Sequence, residues 1–268
     1  MIVGVTGPPG AGKSTLVDQL TKQLRKGGQT VGIVAVDPSS PFSHGAILGD
    51  RIRMQDHHND PGVFIRSMAT RGRLGGVAQG TLDMALLLDA AGRDVVLIET
   101  VGVGQDEVEI ARLADLTVLV LVPGLGDDVQ TLKAGVMEIA DLFVVNKADV
   151  AGADRLEQDI RALQSFAAAA QRADAAPVRR AVSTSGEGVD EILQIIRSVF
   201  DKRREAGGCA EIWSHRLREL LRDNLLSSLS EADLQRHAAL VAARMEDPYS
   251  AVDALRQTLV QNRGTGES

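Results

Sequence analysis

The first twenty residues, MIVGVTGPPGAGKSTLVDQL (1–20), decide the fold. An apolar run from Ile2 to Val5 enters a glycine-rich turn, and the turn opens a pattern in which Leu16, Val17, Leu20 and Leu24 recur at helical spacing. Inside it, GPPGAGKS (7–14) matches the phosphate-loop spacing G-x-x-x-x-G-K-[ST], with a strand before it and a helix after it. Glycines at such a turn let backbone N–H groups close on phosphate oxygens at a helix N-terminus. Gly10, Ala11, Gly12, Lys13, Ser14 and Thr15 are the expected nucleotide-binding positions, with Lys13 carrying charge toward the β- and γ-phosphates and Ser14 ligating Mg²⁺.

Further along, short apolar runs alternate with helical patterns. IVGVTG, TVGIVAVD, DVVLIE, LTVLVLVPG, LFVVNKAD and VRRAVS read as strands bounded by turn residues. Continuous Val, Ile and Leu runs point to strands covered on both sides. The expected architecture is α/β: a P-loop NTPase with a mostly parallel sheet covered by helices on both faces. The first crossover helix stops at KGG, and a later one carries Ile192, Leu193, Ile196 and Val199 on one side before the charged DKRRE. The pair Gly207 and Gly208 marks a boundary, dividing a P-loop nucleotide-binding domain (1–206) from a helical C-terminal appendage (207–268). There Ile212, Leu217, Leu220, Leu221 and Leu225 stripe one helix, and SEAD (230–233) and SAVD (250–253) resemble caps for two more. The tract FAAAAQRADAA reads as an Ala-rich turn region.

Composition excludes several classes. The chain has 268 residues, 44% hydrophobic, enough to bury one large core or a core plus an appendage. A formal charge of −7 leaves no broad basic footprint, so no nucleic-acid or membrane partner is expected. Cys209 is the single cysteine, which rules out an intrachain disulfide. With no charged leader before the first apolar run, and no apolar run near the roughly 18 residues of a membrane span, a cytoplasmic location is expected.

The base is read from NKAD (146–149), at the end of a buried strand, where α/β ligands bind. Asp149 can accept hydrogen bonds from both N1–H and the exocyclic amino group of guanine, a donor pair that adenine lacks. Lys147 would lie along the ring, Asn146 would tie this loop to the phosphate loop, and Ser183 and Thr184 in VSTSGEG suit a backbone contact to the guanine carbonyl. In DVVLIETVGVGQDEVE (94–109) an apolar strand delivers Glu99 to a Gly-rich loop, the place of the Walker-B carboxylate. Glu99 is expected to face the Mg²⁺ shell. Asp37, ending another strand, either joins that shell or forms an Asx turn before Pro38.

These motifs carry a resemblance. TGPPGAGKSTL, VDPSSPFSHGAILGDRIRM, FIRSMATRGRLGGVA, ETVGVGQDEVE and ADLFVVNKAD resemble the MeaB/ArgK-type GTPases of the SIMIBI class, which include the human methylmalonic-aciduria type A protein. The resemblance is dense from residue 1 to about residue 200. It implies a chaperone of adenosylcobalamin-dependent acyl-CoA mutases whose GTP cycle gates cofactor loading and protection, with hydrolysis slow alone and stimulated by the partner. It further implies Asp37 and Glu99 as Mg²⁺-shell residues, partner-responsive segments in HGAILGDR, RSMATRG and GVGQDEVE, and a homodimer formed through the C-terminal helices. Two departures stand out. Members carry a helical segment ahead of the first strand that has no counterpart here, and His44 occupies a position where a second glycine is expected.

Catalytic candidates are Gln105, to orient water or simply as a solvated loop amide, and Arg71 and Arg66, to neutralise phosphate, contact the mutase or act as plain surface arginines. Lys133, on the helix expected after PGLGDDVQ, is a candidate member of another nucleotide-sensitive loop. DHHNDPG (56–62) approaches the D-x-H-x-x-G pattern of cobalamin ligation, but its glycine is one place late, so it reads as a solvated polar loop; His57 and His58 lack the further ligands of a zinc site. Two alternatives stand beside the chaperone reading: a nickel-type metal-delivery GTPase, which would call for a Cys/His cluster near the switches, and a kinase, which would need an acceptor pocket.

Overall fold

The computed structural model describes residues 1–37, 55–57, 59–69, 76–100, 113–124, 139–171 and 175–264. Seven strands are β1 (Ile2–Thr6), β2 (Val31–Asp37), β3 (Val63–Ala69), β4 (Val95–Glu99), β5 (Leu116–Leu121), β6 (Leu142–Val145) and β7 (Val178–Arg180). They form one sheet in the order β3-β2-β4-β1-β5-β6-β7, and every pair is parallel. Helices α1 (Lys13–Lys26), α2 (Gly76–Ala90), α3 (Ala153–Gln171) and α4 (Val189–Glu205) belong to this layer system. Two compact units divide at Ile212, Met1–Ile212 and Trp213–Ser268.

Pleating assigns each strand residue to a face. Val3, Val5, Ile33, Leu97, Val118 and Val144 turn to the side covered by α1 and α4, where they meet Leu16, Val17, Leu20 and Leu24 and then Ile192, Leu193 and Ile196. Burying the four apolar side chains of α1 contributes roughly 6–12 kcal/mol gross, at about 1.5–3 kcal/mol each. Leu119, Leu121, Phe143 and Val145 turn to the opposite side and pack with Leu156 and Ile160 of α3. On that side Leu88 of α2 lies against Gly32, where a Cβ would come within 2.9 Å of it.

Three local readings are corrected. VFIRSMA forms strand β3, absent from the apolar runs recognised in the sequence. It is an edge strand paired with β2 alone, so exposed Arg66 is tolerated and the run is not continuously apolar. The Ala-rich tract is helical through Gln171, as the high helix propensity of alanine favours.

The third correction lies in the C-terminal unit. Helix α5 (Gly208–Ser227) leads into it, followed by α6 (Glu231–Ala242) and α7 (Pro248–Gly264). Ser230 caps α6, its hydroxyl accepting from Asp233 N–H at 3.0 Å. SAVD, however, lies inside α7. Asp247 is the cap there, accepting from the N–H groups of Tyr249 and Ser250 at 3.0 Å each, and Pro248 takes the first helical position, where a missing N–H costs nothing. His237 Nδ1 lies 2.7 Å from Glu246 Oε2 and ties α6 to the turn before α7. Among the described residues, no helix is long and apolar enough to cross a membrane.

Candidate functional site

All site elements meet at the carboxyl edge of the sheet, as the parallel register requires. Gly7 leaves β1 with φ 140°, and a Cβ there would sit 2.1 Å from Val120 O of the neighbouring strand, so only glycine fits. Gly12 is the residue before α1, in the left-handed region at φ 85°, and its face presses on Asn146, whose Nδ2 would be 2.4 Å from an added Cβ. Lys13 is 6% exposed and its Nζ donates to Gly7 O at 2.7 Å and Pro8 O at 3.0 Å. Its charge is thus held inside the loop's own curve.

Ser14 and Glu99, 85 residues apart, meet directly. The Ser14 hydroxyl donates to Glu99 Oε1 at 2.6 Å, and Glu99 is 5% exposed. The register explains the encounter: Val5 pairs with Glu99 across β1 and β4, so the acid ends its strand level with the entry to the phosphate loop. Asp37 ends β2 two residues beyond Ala35, itself the partner of Glu99. Arg66 pairs with Val34 in mid-strand on β3, two strands from Glu99, and is not gathered with these residues.

On the other side of α1 lies a cleft lined by Gly12, Thr15, Asn146, Lys147, Asp149 and Thr184 among others. Asn146 is 2% exposed and joins three segments. Its Nδ2 donates to Ala11 O at 2.8 Å, while its Oδ1 accepts from Ser183 N at 3.1 Å and Ser183 Oγ at 2.8 Å. The Ser183 N–H is therefore committed to Asn146, a use the sequence reading missed, and Thr184 is the exposed member of that pair. Lys147 holds a left-handed backbone at φ 54°, and its Nζ donates to Gly10 O at 3.0 Å. That bend turns the chain so that Ala148 N–H donates to Ala181 O at 3.0 Å and Asp149 stands exposed at the cleft. Val150 and Val182 add apolar wall that no motif marked.

The back of α1 carries its own charge network. His57 itself is 5% exposed, with Nε2 2.9 Å from Asp18 Oδ1, while Asp56, Asn59 and Pro61 beside it are exposed, as expected of a solvated polar loop. Lys22 bridges Asp18 at 2.9 Å and Asp56 at 3.2 Å, and the Asp18 bond, partly opposed by burial, raises its pKa. Arg25 grips both oxygens of Asp60 at 2.8 and 2.9 Å, which holds that carboxyl below its usual range, with help from the Gly62 N–H. Gln105, Arg71, Lys133, His44 and His58 lie outside the described residues.

The family model described as Methylmalonyl Co-A mutase-associated GTPase MeaB matches residues 1–237. This chain belongs to the MeaB family. A Pyrococcus horikoshii protein named as a GTPase is 49% identical over 97% of this chain and 84% of its own length. The mouse mitochondrial methylmalonic aciduria type A homolog is 39% identical over 77% of this chain and 50% of its own. Among solved structures, an LAO/AO transport system kinase superposes with a TM-score of 0.63 at 26% identity, over 97% of this chain and 81% of that one. The chain is thus a P-loop GTPase that binds GTP and GDP.

In this MeaB-family GTPase the donor set beside the phosphate loop is made of hard oxygens: the Ser14 hydroxyl against the buried Glu99 carboxylate. Such a set fits Mg²⁺, which prefers oxygen ligands and retains several waters. Among the described residues there is no group of three or more His, Cys, Asp and Glu able to hold a metal.

Proposed function

We propose that this MeaB-family GTPase is a chaperone of an adenosylcobalamin-dependent acyl-CoA mutase, its nucleotide cycle gating cofactor loading and protection. The observation that carries this reading is the match over residues 1–237 to a family described as methylmalonyl Co-A mutase-associated. Residues 1–206 form the GTP-binding part in this reading. Asp149 reads the guanine, Asn146 and Lys147 hold the base loop on the phosphate loop, Thr184 faces the base edge, and Gly10 to Thr15 take the phosphates. Mg²⁺, bound with the nucleotide, supplies charge neutralisation, with Ser14 as ligand and Asp37 and Glu99 facing its shell. Gln105 orients the attacking water and Arg71 offsets charge on the γ-phosphate when the partner is bound, so turnover is slow alone and rises with the mutase.

Residues 207–268 serve as the dimerisation arm of a homodimer. Trp213, Leu217 and Leu221 support this, since they recur every four residues along α5 and are 40%, 59% and 57% exposed. The setting is the cytoplasm, where GTP is abundant. The test is GTP turnover with and without a panel of apo- and holo-mutases, alongside co-elution in GDP and in a non-hydrolysable GTP analogue. One mutase is expected to raise turnover and to co-elute in a nucleotide-dependent way. Stimulation by a nickel enzyme and by none of the mutases would replace this reading with metal delivery.

A further inference from the structure

A buried hydroxyl pair joins the base of the phosphate loop to the exit of the Glu99 strand. Thr6 is fully buried and immediately precedes Gly7; Thr100 is 2% exposed and immediately follows Glu99. Thr100 Oγ1 donates to Thr6 Oγ1 at 3.0 Å, and Thr100 N–H donates to Val5 O at 3.1 Å. Since Val5 pairs with Glu99, the backbone bond is the last rung of the parallel ladder, and the hydroxyl bond lies one step beyond it.

Stability alone gives little reason for hydroxyls here. Valine has nearly the same shape, suits a strand end as well, and brings no polar atom that needs a partner in the core. Replacing both members of a buried hydrogen-bonded pair by apolar groups of the same shape can be close to neutral. What the pair does supply is direction. With the backbone bond alone the Thr100 peptide can rotate about it, whereas the hydroxyl bond fixes the peptide that carries Glu99. A carboxylate displaced by about 1 Å from its place beside Ser14 can lower turnover by roughly 10²-fold.

We propose that Thr6 and Thr100 are positioning residues, whose hydroxyl bond fixes the Glu99 carboxylate relative to Ser14 and thereby sets the hydrolysis rate. The inference rests on the assignment of Glu99 to the Mg²⁺ shell. The test uses the full chain as Thr6→Val, Thr100→Val, the double variant and Thr100→Ser. Read out are the urea midpoint, GTP turnover, and release of a fluorescent GDP with and without Mg²⁺. Each single valine variant should lose stability, because one hydroxyl is left buried without its partner.

The double variant should regain the wild-type midpoint. It should nonetheless keep a kcat lowered by about 10–100-fold, an unaltered KM, and a weaker slowing of GDP release by Mg²⁺. Thr100→Ser should restore both turnover and the Mg²⁺ effect. A double variant with wild-type kcat and Mg²⁺ response overturns the inference, as does Thr100→Ser behaving like Thr100→Val, which keeps the test open should the double variant not fold. Glu99→Gln separates the two layers. Undiminished hydrolysis in that variant removes the Glu99 assignment itself, while an impaired Glu99→Gln beside a normal double variant removes only the role of the threonine pair.

Discussion

Asn146→Ala removes the side chain that holds three loops together, and its cost can be worked from the hydrogen bonds it makes. Three are lost: to Ala11 O, from Ser183 N and from Ser183 Oγ. At about 1 kcal/mol net for each bond, the fold loses about 3 kcal/mol. Ala11 is fully buried and Ser183 is 3% exposed, so water cannot readily take the place of the amide. The same loss appears in binding, because nucleotide must then order the base loop against the phosphate loop at its own expense. About 3 kcal/mol corresponds to roughly 10²-fold in GDP affinity.

Urea unfolding with and without saturating GDP, together with calorimetric GDP titration, measures both quantities. Asn146→Asp serves as the internal control. It keeps an acceptor for Ser183 but turns an oxygen toward Ala11 O where a donor stood, so it should break the tie to the phosphate loop and spare the tie to Ser183. A stability loss under about 0.5 kcal/mol in Asn146→Ala, an amount usual for a surface site, combined with unchanged GDP affinity, would refute the reasoning.

Two further outcomes are expected. Asp149→Asn should lower guanine-nucleotide affinity by roughly 10²- to 10⁴-fold, at about 1.5–3 kcal/mol for each of two charge-assisted bonds, and shift preference toward xanthine nucleotides; competition binding with GDP and xanthosine diphosphate checks it, and retained guanine selectivity would remove Asp149 from the base site. Asp60, held below the usual carboxylate range first by Arg25 and then by the Gly62 N–H, stabilises the fold above its unfolded-state pKa of about 4 and loses that contribution as pH falls through its lower folded value. The Tm gap between wild type and Asp60→Asn should therefore be widest near neutrality and close on acidification, and a gap constant across that range contradicts the assignment.

The sequence by itself determined whatever depends on near neighbours. The phosphate loop is legible because Gly7, Gly12, Lys13 and Ser14 act within one turn, and a backbone at φ 85° before a helix leaves a local signature in glycine. Strands β1, β2, β4, β5 and β6 are legible because burial on both faces leaves continuous apolar runs. NKAD shows itself by lying where such a run ends.

Only the tertiary structure decided which distant residues share a site. β3 escaped the apolar pattern because an edge strand keeps a solvent-facing row, here Phe64 and Arg66, in which a charged side chain is tolerated without cost. Nothing near His57 in the chain announces that Asp18 will bury it, and nothing near Ser183 announces that Asn146 will take its N–H. Thr6 and Thr100 are 94 positions apart and meet because β4 is placed beside β1. Strand order is a property of packing between elements, whose faces are mutually compatible in several arrangements. Local pattern therefore names the elements and their chemistry, while the order β3-β2-β4-β1-β5-β6-β7 decides which side chains come within hydrogen-bond reach.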